Sequence, residues 1–262
     1  MSNDLILTRR ELPLAWVIVN RPAQRNALNA AMWHALADAV QTLADDDDVR
    51  VIIITGSGPA FIAGADIAEL KAQTENAQLI ETNIRESLAG LKAITSAPKP
   101  VIAMINGACF GGGVLIAATC DLRFASDRAQ FGIPAGKLGL AYPFDEGVAR
   151  LVNLIGPAHA ADVLLSGRAF DAEEARQMGL VNRVLPADEL EAHTRDYALR
   201  MAEVAPLSTA AHKLSIQQAQ RSATECDRAA VLTAIKRCYE SADHREGLQA
   251  FLEKRAPVFK GQ

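Results

Sequence analysis

Two stretches of small residues carry the chemistry this sequence can offer, AFIAGADI at 60–67 and INGACFGGGVLIAATCDLRFA at 105–125. In each, an apolar run that reads as a strand passes into helix-compatible sequence, and glycine and alanine at the junction leave backbone N–H groups open to a ligand. A helix beginning within Gly111–Gly113 adds the partial positive charge of its N-terminus at that point. Two such turns side by side would hold a developing oxyanion, such as the enolate or tetrahedral oxygen formed from a thioester carbonyl. One preorganised donor of this kind is worth roughly 10²–10³ in rate. Tight helix-on-strand packing through glycine would by itself explain either turn.

Other chemistries lack their first requirement. GSGPAF has two glycines of a dinucleotide fingerprint but Phe61 where the third should stand, and GIPAGK is a phosphate loop one residue short with no Ser or Thr after its lysine. There is no G-x-S-x-G elbow and no H-E-x-x-H helix. Cys109 adjoins the glycine cluster with no histidine near it in sequence, so it reads as a small apolar residue rather than a nucleophile. The run Asp45–Asp48 reads as a solvated turn, and no metal site is expected.

The elements that must position the two turns follow from periodicity. Residues 4–9 and 14–19 read as a hairpin, followed by an amphipathic helix over 29–44 capped by Asn29. The unbroken runs Val51–Ile54 and Val101–Ile105 read as strands buried on both faces, as in a parallel sheet covered by helices, so the fold class is α/β. A strand pair is expected near 121–132, then mostly helix from Glu146, with Val181–Leu185 the one clear interruption. Residues 1–187 form the expected core, and 188–262, alternating apolar and charged residues at helical spacing, a helical C-terminal region.

Composition narrows the partners. With 27 basic against 31 acidic residues the net charge of -4 gives no global attraction to nucleic acid or an anionic membrane. No segment has the length of a membrane span, and the first ten residues do not resemble a leader. Four cysteines without a CxxC pair read as reduced thiols in a cytoplasmic protein.

Taken together, VNRPAQRNALN (19–29), AGADI (63–67), KPVIAMINGACFGGGVLIAATCDLRFASDRAQFGIP (99–134), LSGRAFDAEEARQMGLVNRVLP (165–186) and SADHREGLQAFLEKRAPVFKG (241–261) resemble the enoyl-CoA hydratase/isomerase, or crotonase, superfamily over nearly the whole chain. The resemblance implies a crotonase-like spiral of ββα units with C-terminal helices that pack trimers or dimers of trimers. It implies an acyl-CoA thioester as substrate and no cofactor beyond the coenzyme A that the substrate carries. It assigns the two oxyanion N–H groups to Ala65 and Gly112. It sets Ala63 and Ile67 against adenine and pantetheine, Arg25 near the CoA phosphates, and Phe259 and Lys260 against CoA of the same or a neighbouring subunit. Asp66 and Asp121, each following a family motif, are expected to cap backbone rather than to catalyse.

The departures from the family pattern are equally specific. Typical hydratases carry two glutamates for acid and base, at positions that here are Leu115 and Ala135, and neither can move a proton. Replacements are sought in LGLAYPFDEGVARL (138–151), where Tyr142, Asp145 and Glu146 are the candidates. Glu146 is the first choice, on the expectation that an apolar wall of Leu115 and Phe144 raises its pKa. The DEG at 145–147 resembles the segment of dienoyl-CoA isomerases bearing a catalytic aspartate, and Tyr142 resembles a tyrosine of methylmalonyl-CoA decarboxylases, which however have histidine where this chain has Ala65. The competing reading is a CoA-thioester binding protein without catalysis. An RNA-binding role would call for a lysine-rich helix that this chain lacks.

Overall fold

A computed structural model describes residues 5–262, apart from the side chains of Asp145 and Glu146. The hairpin forms from β1 (Ile6–Glu11) and β2 (Leu14–Val19). Helix α1 (Ala30–Asp45) starts where it does because the Asn29 side chain accepts the Met32 N–H at 2.9 Å. The buried residues Met32, Leu36, Val40 and Leu43 recur at helical spacing on its inner face.

The two β-branched runs become β3 (Val51–Gly56) and β5 (Val101–Ile105), buried along their whole length. They pair in parallel, and with β1, β2, β7 (Leu122–Ser126) and β10 (Arg183–Leu185) they make a six-stranded sheet ordered β1-β2-β3-β5-β7-β10. A second sheet joins β4 (Ala60–Ile62), β6 (Ala108–Phe110), β8 (Gln130–Gly132) and β9 (Ala169–Asp171) in that order. Successive turns of the chain thus give one strand to each sheet, and the helices that follow are α2 (Ile67–Glu75) with α3 (Ala77–Ser96), then α4 (Gly112–Thr119), then α5 (Ala149–Ser166). The spiral of ββα units is the observed architecture.

Two expectations need correction. The segments expected to pair near 121–132 do not pair with each other: β7 lies in the first sheet and β8 in the second. Strand β9, followed by α6 (Ala172–Gln177), also interrupts the helical stretch that starts near Glu146. Three residues ending in an N-cap aspartate leave too short an alternating pattern to be legible.

The outer face of the six-stranded sheet is covered by α7 (Leu190–Ala202), whose Leu190 and Ala198 pack with Trp16, Ile53, Ile102 and Phe124. Helices α8 (Pro206–Ala219), α9 (Arg228–Glu240) and α10 (Ala242–Glu253) follow, and the tail returns along α10. There the Asp243 carboxylate accepts the N–H groups of Lys260 and Gly261, each at 2.7 Å. Among the described residues no helix is long and apolar enough to cross a membrane.

Candidate active site

The first glycine-containing turn is built around Asn26. Its buried side-chain amide donates to the carbonyls of Ser57, Ala60 and Phe61 at 3.0, 2.8 and 3.1 Å, and its Oδ1 accepts the Arg21 N–H at 2.9 Å. That ties the loop after β2 to β4. Leu28 then grips the turn from both sides, donating its N–H to the Gly64 carbonyl and accepting from the Asp66 N–H, both at 2.8 Å. Ala65 is held between these two anchors, and its own N–H has no acceptor among the described residues.

Asp66 caps α2, accepting from Ala68 and Glu69 at 2.7 and 3.1 Å, and pairs with Arg21. Burial pushes its carboxyl up, but the Arg21 guanidinium and the two N–H groups outweigh it, so the pKa lies below the ordinary value. Asp121 likewise accepts the Val101 N–H at 2.7 Å and pairs with the buried Lys213 at 2.8 Å. Both carboxylates are structural, as expected.

The second turn delivers a helix N-terminus. Gly111 donates to the Gly132 carbonyl at 2.9 Å and, at φ +53, directs the chain into α4, while Val114 and Leu115 bond back to its own carbonyl. Gly112, the first residue of α4, keeps an N–H without an intrahelical partner, as any helix start must. A Cβ on Gly111 would stand 2.7 Å from the Tyr142 hydroxyl and 3.6 Å from the Gly64 Cα. The two turns and the tyrosine hydroxyl therefore meet at one point. A Cβ on Gly112 would stand 2.9 Å from Cζ2 of Trp33, which backs the turn from α1.

A cavity of about 140 Å³ opens there, with Ala65, Gly112, Leu115 and Tyr142 among its walls. Helices α2 and α3 supply its far side, and the segment Leu140–Pro143 closes it. Burial raises the Tyr142 phenol to about 12, so it stays protonated and can only donate or share its proton at neutral pH. Leu115 faces the cavity, and a Cβ on Gly147 would touch it at 3.3 Å. Ala135 is buried, its carbonyl accepting from Leu140 at 2.9 Å, and does not border the cavity.

The proposed wall of Leu115 and Phe144 does not form: Phe144 is 72% exposed, in a π-helical turn over Phe144–Val148 that precedes α5. The side chains of Asp145 and Glu146 lie outside the described residues, so of the three candidate proton carriers Tyr142 is the one seen at the cavity.

The expected CoA contacts divide. Arg25 is exposed beside the first turn, its carbonyl accepting the Ala63 N–H at 3.0 Å, and Ile67 is 66% exposed at the start of α2. Phe259 and Lys260 do not reach the cavity within one chain. Phe259 borders an open depression among α8, α9 and α10, and Lys260 borders another with Arg50. Burial raises the Cys109 thiol far above its ordinary pKa, which removes it as a nucleophile. Among the described residues no cluster of His, Cys, Asp or Glu could hold a metal ion.

Sequence reasoning missed Asn26, Trp33 and Gln73. The first two lie in or near the quoted 19–29 segment, but their contacts cross from one turn of the spiral to the next. Gln73 has no local signature at all.

A family model described as enoyl-CoA hydratase/isomerase matches residues 10–262. The chain is 35% identical over 260 residues to the 2,3-dehydroadipyl-CoA hydratase of Escherichia coli, covering 99% of this chain and 100% of that one. It is 36% identical over 264 residues to the crotonyl-CoA hydratase of Syntrophomonas wolfei, with 99% of each chain covered. A crystal structure described as an enoyl-CoA hydratase/carnithine racemase from Magnetospirillum magneticum superposes with a TM-score of 0.93 at 37% identity, over 100% of this chain and 97% of that one. With the spiral fold, the two open turns and a match over almost its full length, the chain belongs to the enoyl-CoA hydratase/isomerase family of enzymes.

Proposed function

We propose that this enzyme acts on an acyl-CoA or enoyl-CoA thioester through an enolate whose oxygen sits between the N–H groups of Ala65 and Gly112, with Tyr142 handling the proton. The observation that carries the reading is the meeting of both turns and the Tyr142 hydroxyl at one apolar cavity. In such surroundings two fixed N–H donors favour a localised negative oxygen far more than they would in water. They cannot transfer a proton themselves. A phenol held neutral by burial can supply one to the α-carbon of the enolate as it collapses.

Leu115 bears on which reaction this is. Hydration by two facing carboxylates is disfavoured, because one expected position presents a leucine to the cavity and the other, Ala135, lies outside it. Decarboxylation of a malonyl-type thioester, the second reading, needs an enolate trap and a proton donor but no base, and so fits the groups described at the cavity. Double-bond isomerisation would need a carrier at Asp145 or Glu146. No cofactor beyond coenzyme A enters any of these steps, and four free cysteines, two of them buried, suit a cytoplasmic setting.

Thioester recognition is tested by calorimetry with matched acyl-CoA esters and free acids. The esters are expected to bind at least a hundredfold more tightly, since the nucleotide and pantetheine arm supplies most of the contact. Equal affinities would overturn the reading. The second copy we infer docks on the C-terminal helices, where Tyr239, Phe251 and Leu252 are 68, 82 and 77% exposed. Light scattering is expected to give three or six times the 28.0 kDa chain mass at micromolar concentration, and a monomer would exclude it.

A further inference from the structure

The N–H of Gly112 must stay free of intramolecular partners if it is to meet a thioester oxygen, so packing rather than hydrogen bonding has to fix its direction. Its neighbours along the chain are anchored, Gly111 to the Gly132 carbonyl and Val114 to the Gly111 carbonyl. Bulk holds the turn on two sides. A Cβ on Gly113 would stand 2.5 Å from the Ile62 carbonyl oxygen of β4, and a Cβ on Gly112 would stand 2.9 Å from Cζ2 and 3.5 Å from Cη2 of Trp33 on α1. The indole is in turn gripped by α3, where a Cβ on Gly90 would stand 2.8 Å from Cε3, the ring atom opposite Cζ2. Its six-membered ring therefore spans the gap between the backbones of α3 and α4, and Trp33 is only 5% exposed. Glycine inside a helix is unfavourable without a packing reason, and this contact supplies one for Gly90.

We propose that Trp33 is a positioning residue for the oxyanion donor, its ring a rigid spacer that sets the first turn of α4 at the angle from which the Gly112 N–H meets the thioester oxygen. The inference rests on the thioester reading above and deepens it. Ala65 needs no such spacer, because the residues on either side of it, Gly64 and Asp66, are both bonded to Leu28. Gly112 has no comparable grip on each side, and with a smaller residue at position 33 only β4 would press on its turn. A close-packed interior passes a displacement on rather than absorbing it, and a shift of about 1 Å at a catalytic group can cost about 10² in rate. The same spacer ties the donor to the acyl wall, since α3 carries Ile84, Leu88 and Leu91 into the cavity that Trp33 also lines.

The test reads the donor directly with acetoacetyl-CoA, whose enolate is followed by its ultraviolet absorption, on the full-length protein and on Trp33→Phe, Trp33→Leu and Gly90→Ala. Bound to the parent, the ester is expected to ionise at lower pH than it does free in solution, because the two N–H groups favour the enolate. Trp33→Leu is expected to raise that ionisation by about one pH unit, a tenfold loss of preference for the enolate, with Trp33→Phe between leucine and the parent. Butyryl-CoA, which is not acidic enough to ionise, should bind all of them within threefold by calorimetry. Gly90 does not line the cavity, yet Gly90→Ala should raise the ionisation in the parent by pressing on the ring, and should add nothing in Trp33→Leu. Parent-like ionisation in Trp33→Leu, whatever its melting temperature, overturns the inference and leaves the thioester reading standing. So does an equal weakening of butyryl-CoA and both forms of acetoacetyl-CoA, which is the mark of a residue that only shapes the pocket. A Gly90→Ala effect of the same size with and without Trp33 overturns the spacer. If the parent binds acetoacetyl-CoA without favouring its enolate, or binds neither ester, the thioester reading itself falls and the inference with it.

Discussion

Tyr142→Phe is expected to lower kcat by about 10²–10⁴ while leaving the affinity for a CoA thioester within threefold, the range by which a positioned proton donor usually contributes. The hydroxyl stands where the two turns converge, so removing one oxygen atom deletes the donor without reshaping the wall. Asp145→Asn and Glu146→Gln, measured alongside, identify the carrier. If either carboxyl variant loses turnover and Tyr142→Phe does not, the proton comes from the loop that follows.

The pH dependence separates these outcomes independently. With its pKa raised from 10.0 to about 12, the phenol is protonated throughout the neutral range, so a Tyr142-dependent rate should be flat there and fall only in strong alkali. Stability follows with a definite sign. Below pH 10 the phenol is neutral folded and unfolded, and it contributes nothing to pH dependence. Between 10.0 and about 12 the unfolded chain releases this proton and the folded one retains it, so stability falls as pH rises. Alkaline melting curves of Tyr142→Phe should lack that component.

Gly112→Ala carries the second large effect, a loss of turnover of about 10²–10³ per folded molecule. Alanine keeps the N–H, but its Cβ would lie 2.9 Å from the Trp33 ring, itself only 5% exposed, so the first turn of α4 must shift and carry the donor out of line. Overpacking of this kind also costs about 1–3 kcal/mol, which thermal melting would register. Gly136→Ala is the control, because a Cβ there meets nothing within 4 Å and the rate should hold. Parent-like turnover in Gly112→Ala would remove this N–H from the mechanism.

How much of this was written in the order of residues can be told from particular segments. Val51–Ile54 and Val101–Ile105 announce buried parallel strands because a strand covered on both faces has no polar side to show, and both appear as such. Asn29 and Asp66 announce helix starts because a cap bonds N–H groups two or three residues away, within reach of local sequence. The small residues at 63–65 and 111–113 announce turns with open N–H groups for the same local reason.

What the sequence could not announce depends on contacts between residues far apart in the chain. The separation of β7 and β8 into different sheets is one, since adjacency in sequence favours a hairpin and only the stacking of the spiral sends them apart. The exposure of Phe144 is another, since an aromatic residue beside an active-site loop reads as wall until the loop's direction is known. The burial of Gln73 on α2 is a third, since in sequence it looks like any exposed glutamine in a helix. Local hydrogen bonds and side-chain alternation wrote the elements and the two turns, whereas the meeting of Gly64, Gly111 and Tyr142 at one point was decided by tertiary packing, because no interaction shorter than the fold itself brings them together.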